Sequence, residues 1–345
     1  MIAWLKEVGR GKRGARDLTY EESLRAAEEI LSLRATPAQI GAFFIAERIK
    51  MESVEELQAF VEACRAAAFR ESPHEDGLDC AGPYDGRKKS FYASFACSFV
   101  LAAAGLPVTL HGSGSLPPKW GVTLHDMLGV IGIRPDELPR ETLVSAAKQT
   151  GILYVPAEQW CPPLGELRPI REQLGMRTVL NTAEKLIDYS RSPYLVFGVF
   201  HNTVFDRLSR LLTTLNYRKA LIVQGAEGSE DLFVDRPTRT YAVDRGSASL
   251  HVVSPEAWGL DAPVPDREWT AAAQIEASEA VLRGDADLAF TNQVLLNAAY
   301  RLHLADRVGS VEEGLYTAKA MLEHGRAWAS YAEWRDLLAQ NFVCR

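Results

Sequence analysis

Over the first 70 residues, apolar positions recur three and four apart, the period of helices with one buried stripe. After Ser53 that stripe is Val54, Leu57, Val61 and Cys64. Three helix starts carry capping-box chemistry, in which a hydroxyl and a side chain three residues on satisfy each other's backbone N–H. They are Thr19 with Glu22, Thr36 with Gln39, and Ser53 with Glu56. Pro37 stands at a first helical position, where its missing N–H costs nothing. The stretch reads as helical throughout, and short helices this close together predict a small bundle.

The pattern changes near Pro73. From Leu78 onward, short apolar runs alternate with longer amphipathic stretches. The runs predict strands at Val108–Leu110, Ile152–Val155, Leu195–Phe200, Ala220–Gln224 and Leu250–Val253. Helices are predicted between them, for example over Phe91–Ala104 and Asn202–Leu215. Ser310 and Glu313 open a last helical region carrying Val311, Leu315, Ala318 and Leu322. Strand–helix alternation implies a largely parallel sheet covered by helices. The segment Gln159–Ile187, with Pro162 and Pro163, breaks the strand rhythm. The expected fold class is α/β. A small N-terminal helical bundle is assigned to residues 1–72, and a larger α/β domain with a mostly parallel central sheet to residues 73–345. Residues 160–190 are the candidate for a return to the bundle.

Composition narrows the class. At about 150 residues per domain, a chain of 345 suggests two domains. With 47% apolar and 24% charged residues, a disordered chain, a coiled coil and a collagen-like protein are excluded. The formal charge of −7 disfavours a globally basic nucleic-acid binder. The balance is uneven, however. From residue 246 to the end there are 8 basic and 14 acidic residues, against 30 and 31 before it. A local basic groove in the first part is compatible with that distribution.

Cys64, Cys80, Cys97, Cys161 and Cys344 form no C-x-x-C pair and none lies near a histidine at zinc-finger spacing. They read as reduced core thiols of a cytosolic protein. At the N-terminus the apolar residues precede Lys6, Arg10, Lys12, Arg13 and Arg16, the reverse of a signal peptide. No stretch approaches the roughly 18 apolar residues of a membrane span. The expected localisation is cytoplasmic, with no membrane partner.

The segment Ala35-Thr36-Pro37-Ala38-Gln39-Ile40-Gly41-Ala42-Phe43, together with Leu296-Asn297-Ala298-Ala299 and Glu313-Gly314, resembles the helical and C-terminal signatures of the anthranilate phosphoribosyltransferase family. The order of loops between them fits as well, so the resemblance covers essentially the whole chain. It implies a glycosyltransferase of the pentosyltransferase class, Mg2+ as cofactor, phosphoribosyl pyrophosphate as ligand and a place in tryptophan biosynthesis. It also implies a homodimer formed through the helical bundle.

The loops depart from the family's pattern in ways that have physical meaning. Asp79-Cys80-Ala81-Gly82-Pro83-Tyr84-Asp85-Gly86 stands where the family has Gly-Thr-Gly-Gly-Asp-Gly around the pyrophosphate and ribose. Glycines there let backbone N–H groups approach phosphate. The resemblance carries Gly82, Asp85 and Gly86 over as ligand-binding residues. Pro83 removes a donor and Tyr84 adds bulk. Arg87, Lys88 and Lys89 follow and offer compensating charge, with Lys88 and Lys89 taken into the ligand-binding set. Phe91-Tyr92-Ala93-Ser94 resembles the family's Phe-Asn-Ile-Ser, which gives Ser94 to phosphate and metal.

Leu110-His111-Gly112-Ser113 replaces the family's Lys-His-Gly-Asn. His111 is carried over as a catalytic residue, Gly112 and Ser113 as ligand-binding ones. Leu110 supplies none of the lysine's charge. The plain alternative for His111 is a structural histidine. In Arg168-Pro169-Ile170-Arg171-Glu172-Gln173-Leu174-Gly175-Met176-Arg177, Arg171 matches the arginine that faces the carboxylate of anthranilate. A bidentate guanidinium is the natural carboxylate clamp. Arg177 and Asn181 are assigned to the hinge, and Glu184-Lys185-Leu186 stands where the family has Gly-Pro-Leu. Finally, Gln224-Gly225-Ala226-Glu227-Gly228-Ser229-Glu230-Asp231 replaces His-Gly-x-x-Gly-x-Asp-Glu, whose paired acids hold magnesium. Glu230 and Asp231 keep both charges in reversed order, and Glu227 is the alternative ligand. The candidate metal set is thus Ser94, Glu227, Glu230 and Asp231, against the plain alternative of a solvated acidic loop.

Two functions follow. The preferred one is Mg2+-assisted transfer of a phosphoribosyl group from phosphoribosyl pyrophosphate to an aromatic or heterocyclic acceptor, with anthranilate itself disfavoured. The alternative is a catalytically inactive paralogue that binds nucleic acid in a basic interdomain groove. That groove would draw on Arg87, Lys88, Lys89, Lys119, Arg168, Arg171, Arg177, Arg207, Arg210, Arg218, Lys219, Arg236, Arg239 and Arg245. Tyr84, Tyr92, Trp120 and Trp160 would stack on bases, or equally wall an aromatic substrate pocket.

Overall fold

The computed structural model describes residues 1–11, 13–244 and 246–339. Lys12, Arg245 and Cys344 lie outside the described residues. Helix α1 (Ile2–Val8) is followed by α2 (Tyr20–Leu31), α3 (Pro37–Lys50) and α4 (Val54–Ala67). Thr19, Thr36 and Ser53 each close the predicted capping box. The first 70 residues are not helical throughout. Among the described residues between Val8 and Tyr20, which include Gly9, Gly11 and Gly14, none is helical. Glu56 ties the bundle together: its carboxylate accepts from Leu18 N at 2.7 Å and from Lys50 Nζ at 2.6 Å.

The α/β part alternates β1 (Leu78–Ala81), α5 (Ala93–Ala103), β2 (Val108–Gly112), α6 (Leu124–Val130), α7 (Arg140–Thr150) and β3 (Ile152–Pro156). The chain then makes α8 (Ala157–Trp160), α9 (Pro162–Leu174) and α10 (Leu180–Ala183) before β4 (Tyr194–Gly198), α11 (Phe205–Thr214) and β5 (Lys219–Val223). Here α9 packs on α2 and α3, and α10 packs on α4. A hairpin of β6 (Thr238–Asp244) and β7 (Ser247–Val253) follows, then α12 (Ala271–Arg283), α13 (Leu288–Leu304), α14 (Val311–Glu323) and α15 (Arg326–Ala339).

Seven strands form one sheet in the order β3-β2-β1-β4-β5-β6-β7. The first five are parallel, and β6 and β7 are antiparallel. Two strands escape the hydrophobic pattern. In β1 the buried Asp79 interrupts the apolar run, and β6 reads Thr-Arg-Thr-Tyr and then alternates in burial. The family-like C-terminal segments explain themselves in packing. A Cβ at Gly314 would lie 2.8 Å from the Ala299 carbonyl oxygen, so α14 meets α13 backbone to backbone. Asn297 accepts from Leu232 N at 2.9 Å and fixes the loop after β5.

From β1 the chain runs outward through β2 and β3 on one side, and through β4 and β5 on the other. The switch point therefore lies between β1 and β4. In open α/β sheets the crevice beyond the carboxyl ends of the strands at that point is where ligands bind. Among the described residues, no helix is long and apolar enough to cross a membrane.

Candidate functional site

The predicted site residues follow or end β1, β2 and β5, apart from Arg171, which lies in α9 after β3. Many of those residues are turned toward one another. Arg87, expected to offer charge to a phosphate, is fully buried. Its Nη1 lies 2.5 Å from Asp231 Oδ2 and 2.7 Å from the Phe91 carbonyl. Its Nη2 lies 3.3 Å from Glu230 Oε2 and 3.4 Å from Ser94 Oγ. The guanidinium also covers the Tyr92 ring at 3.8 Å. From the other side, Arg301 Nη2 reaches Asp231 Oδ1 at 2.8 Å and the Glu230 carbonyl at 3.2 Å. Burial alone would raise the Glu230 carboxyl, but Arg87 and Arg301 hold it below the usual carboxylate range. Gly82 leaves room for this carboxylate, since a Cβ there would sit 2.6 Å from Glu230 Oε2.

A magnesium ion demands near-octahedral oxygen ligands and keeps several waters. Ser94, Glu230 and Asp231 are buried and engaged with a guanidinium, so this arrangement does not fit a hydrated magnesium. Glu227 is apart from them. Its carboxylate accepts from Lys88 N and Lys89 N at 2.9 Å each and from Ser90 Oγ at 2.8 Å. Among the described residues, no group of three or more His, Cys, Asp or Glu side chains is gathered as a metal site.

The loops after β1 and β2 are filled by their own side chains as well. Tyr84 is buried, and its hydroxyl lies 2.7 Å from His111 Nδ1 and 3.3 Å from the Glu184 carbonyl. His111 Nε2 lies 2.9 Å from Asp79 Oδ1 without the alignment of a hydrogen bond. His111 thus sits in a buried Tyr–His–Asp row with no opening to solvent. Gly112 closes β2, with the Tyr154 hydroxyl 3.7 Å from where a Cβ would stand, and Ser113 Oγ donates to the neighbouring Gly114 carbonyl at 3.0 Å.

Arg171 is buried and bidentate on Glu184, at 2.6 and 2.9 Å. Burial pushes the Glu184 carboxyl up, against the pull of Arg171. Glu184 is the partner of Arg171 that the loop motifs leave unassigned. Its replacement of a family glycine is the signal in the sequence. Asp85 is paired with Lys119 at 2.9 Å and Arg177 at 3.2 Å. Gly86 bends the chain into a bridge between Arg87 and Val122. The side chains of Lys88 and Lys89 are exposed.

What stays open is a cleft of about 480 Å³ between the bundle and the α/β domain. Arg48 and Glu52 line it from the bundle, Arg177 and Lys185 from the segment after α9 that packs on the bundle, and Lys119, Phe200, His201 and Arg207 from the α/β domain. Arg207 lies 3.7 Å from Glu52, and Arg48 has no partner among the described residues. Lys185 Nζ donates to the Gly198 carbonyl at 2.6 Å, lies 3.9 Å from the centre of the Phe197 ring and makes no ion pair among the described residues. Burial pushes its pKa down to about 7.

The expected groove is smaller than the sequence count. Arg87 and Arg171 are buried. Arg168 pairs with Glu158 and Glu172, Lys219 with Asp306, and Arg236 with Asp235. Of the aromatics, Tyr84, Tyr92 and Trp160 are core residues, whereas Trp120 is 48% exposed. Phe200, missed because it ends a predicted strand, is equally exposed.

This two-part architecture has relatives. Residues 3–68 match the model of the glycosyl transferase family helical bundle domain, and residues 78–328 that of the glycosyl transferase family a/b domain. The chain belongs to this glycosyl transferase family. Within it, the chain is anthranilate phosphoribosyltransferase-like. It is 32% identical over 317 residues to an anthranilate phosphoribosyltransferase of Thermomicrobium roseum, which covers 90% of each chain. It is 28% identical over 311 residues to an uncharacterized protein of Aquifex aeolicus, covering 90% of this chain and 95% of the relative. The fold matches the anthranilate phosphoribosyltransferase of Thermus thermophilus with a TM-score of 0.83 at 22% identity, covering 97% of this chain and 98% of that one. It matches the Saccharomyces cerevisiae enzyme in complex with PRPP and Mg with a TM-score of 0.80 at 18% identity, covering 98% of each.

Proposed function

We propose that this chain binds the phosphate backbone of single-stranded nucleic acid in the cleft between its two domains. The observation that carries this reading is the lining of that cleft. Arg48, Lys119, Arg177, Lys185 and Arg207 line one space, in which Arg48 and Lys185 make no ion pair among the described residues, Lys119 and Arg177 share Asp85, and Arg207 lies by Glu52. Cations that neutralise successive phosphates release counterions and supply sequence-independent affinity. Phe200 on the wall, and Trp120 beside Lys119, expose aromatic surface on which bases stack. The burial of Tyr84 and Arg87 in the loop after β1, where the family pattern has glycines, supports this reading. Dimerisation through the helical bundle belongs to this reading and is checked by light scattering.

The test is fluorescence anisotropy with a labelled single-stranded oligonucleotide across a salt series. Affinity is expected to fall steeply with salt, with a slope of roughly −0.7 per phosphate neutralised. An Arg48→Ala/Arg177→Ala variant is expected to bind more weakly and with a shallower slope. Absence of binding at low salt overturns the reading.

A second reading is favoured by the 32% identity to a named phosphoribosyltransferase. It is transfer of a phosphoribosyl group to an aromatic or heterocyclic acceptor, with Gly82, Asp85, Gly86, Lys88, Lys89, Ser94, Gly112 and Ser113 around the donor, and His111 and Arg171 near the reacting centre. It requires Arg87 to leave Glu230 and Asp231, and Arg171 to leave Glu184. Calorimetry with magnesium and phosphoribosyl pyrophosphate decides it. Heat that vanishes in a Glu230→Ala/Asp231→Ala variant supports transfer, and no heat at millimolar ligand removes it.

A further inference from the structure

We propose that Arg87 is a built-in replacement for a divalent cation: its guanidinium stands among Ser94, Glu230 and Asp231 as a permanent counter-charge that a metal ion would otherwise supply. This inference does not depend on which ligand the cleft takes.

The geometry is specific. Three side chains that suit a hard cation, two carboxylates and a hydroxyl, all point at one guanidinium. Arg87 is fully buried, so its charge is spent inside the protein and unavailable to a solvent-borne anion. Arg301 contacts the same carboxylate from the far side. The two guanidiniums together deliver the +2 of a divalent ion against the two negative charges of Glu230 and Asp231. An arginine suits this position better than a lysine, because its planar fork reaches two acceptors at once and stays charged when buried. Tyr92 adds a ring face beneath the guanidinium, which favours a cation of this flat shape.

Removing Arg87 would leave a buried carboxylate without its compensating charge. Such a group must be protonated or must recruit a cation from solution. Truncation to alanine also clears a space lined by Ser94, Glu230 and Asp231, which is a metal-ligand set for oxygen-seeking ions. The inference is therefore that a latent divalent-cation site lies under Arg87.

Mn2+ is the probe, followed by paramagnetic resonance on the full chain, with thermal melting in parallel. The wild type is expected to take up no Mn2+ at this site at millimolar concentration, and its melting temperature to be the same in EDTA and MgCl2. Arg87→Ala is expected to melt lower in EDTA, to be restored by Mg2+ or Mn2+, and to bind one Mn2+ at least about tenfold more tightly than the wild type. Adding Glu230→Gln to Arg87→Ala is expected to abolish that gain. Arg87→Lys keeps one buried charge and is expected to remain metal-free like the wild type.

One Mn2+ bound by the wild type and lost in Glu230→Gln overturns the proposal without any Arg87 variant. So does an Arg87→Ala protein that binds no Mn2+, or one whose unfolding divalent cations do not reverse.

Discussion

Arg171 and Glu184 face each other in the protein interior, joined by two parallel contacts of 2.6 and 2.9 Å. A guanidinium of the type that clamps a substrate carboxylate is here clamped by a carboxylate of its own chain. Breaking one partner of a buried pair strands the other charge and typically costs about 3–5 kcal/mol. Glu184→Ala is therefore expected to lower stability by about that amount. The Arg171→Met/Glu184→Leu variant removes both charges and is expected to lose much less. Urea unfolding of the single and double variants checks this. If the loss in the double variant equals the sum of the losses in Arg171→Met and Glu184→Leu alone, the two residues are not coupled.

Much of the architecture was legible in the sequence, and the reasons are local. Capping boxes at Thr19, Thr36 and Ser53 depend on two residues each, and all three formed as read. The apolar runs of the parallel strands stand out because both sheet faces are buried. β1 was hidden by Asp79, a charged residue buried beside the distant His111. The site was legible as a set of loops but not as a set of contacts. Nothing in Arg87-Lys88-Lys89 says that the first residue turns inward to meet Glu230 and Asp231, more than 140 positions away, while the other two stay in solvent. Pairings of that range are decided by the sheet, which brings the loop after β1 beside the loop after β5. The loss of the family's Gly-Pro-Leu turn was visible, but its meaning required Arg171 to be seen opposite Glu184.

Tyr84 has taken a structural position that its hydroxyl secures. The contact with His111 Nδ1 at 2.7 Å leaves that nitrogen without a partner if the oxygen is removed. An unsatisfied buried polar group costs about 1–3 kcal/mol. Tyr84→Phe is expected to destabilise by that amount while leaving the backbone fold intact. Chemical denaturation gives the loss, and circular dichroism checks the fold. Tyr84→Gly, which also empties the ring's space, is expected to cost more. An unchanged midpoint in Tyr84→Phe would show that the hydroxyl is idle.

The close approach of α13 and α14 gives a prediction that separates fold from function. A Cβ at position 314 would meet the Ala299 carbonyl oxygen at 2.8 Å and the Ala299 Cα at 2.9 Å. Both are backbone atoms, so one helix must shift. Gly314→Ala is expected to cost about 1–3 kcal/mol through overpacking, despite alanine's better helix propensity. Oligonucleotide affinity measured well below the melting temperature is expected to be unchanged, because the cleft lies elsewhere. A Gly314→Ala protein as stable as the wild type would mean that the helices have slack.

Lys185 gives the cleft its dependence on pH. Burial holds its pKa at about 7, below the ordinary lysine range. Between pH 7 and the unfolded lysine's pKa of about 10.4, the unfolded chain holds a proton at this site that the native one lacks. Stability from this group therefore rises with pH across that window, and the full penalty is present below pH 7. Lys185→Met is accordingly expected to stabilise the chain at pH 6, with the gain shrinking toward pH 10. Binding moves in the opposite direction. A phosphate in the cleft favours the protonated amine, so oligonucleotide affinity is expected to fall as pH rises from 6 to 8.5, with proton uptake on binding. Lys119, whose pKa is also lowered by burial, and His201 line the same cleft. Lys119→Gln and His201→Gln variants therefore accompany Lys185→Gln in the titration. The pH dependence is expected to flatten mainly in Lys185→Gln. If it persists there and disappears in His201→Gln, the histidine is the titrating group and the assignment to Lys185 fails.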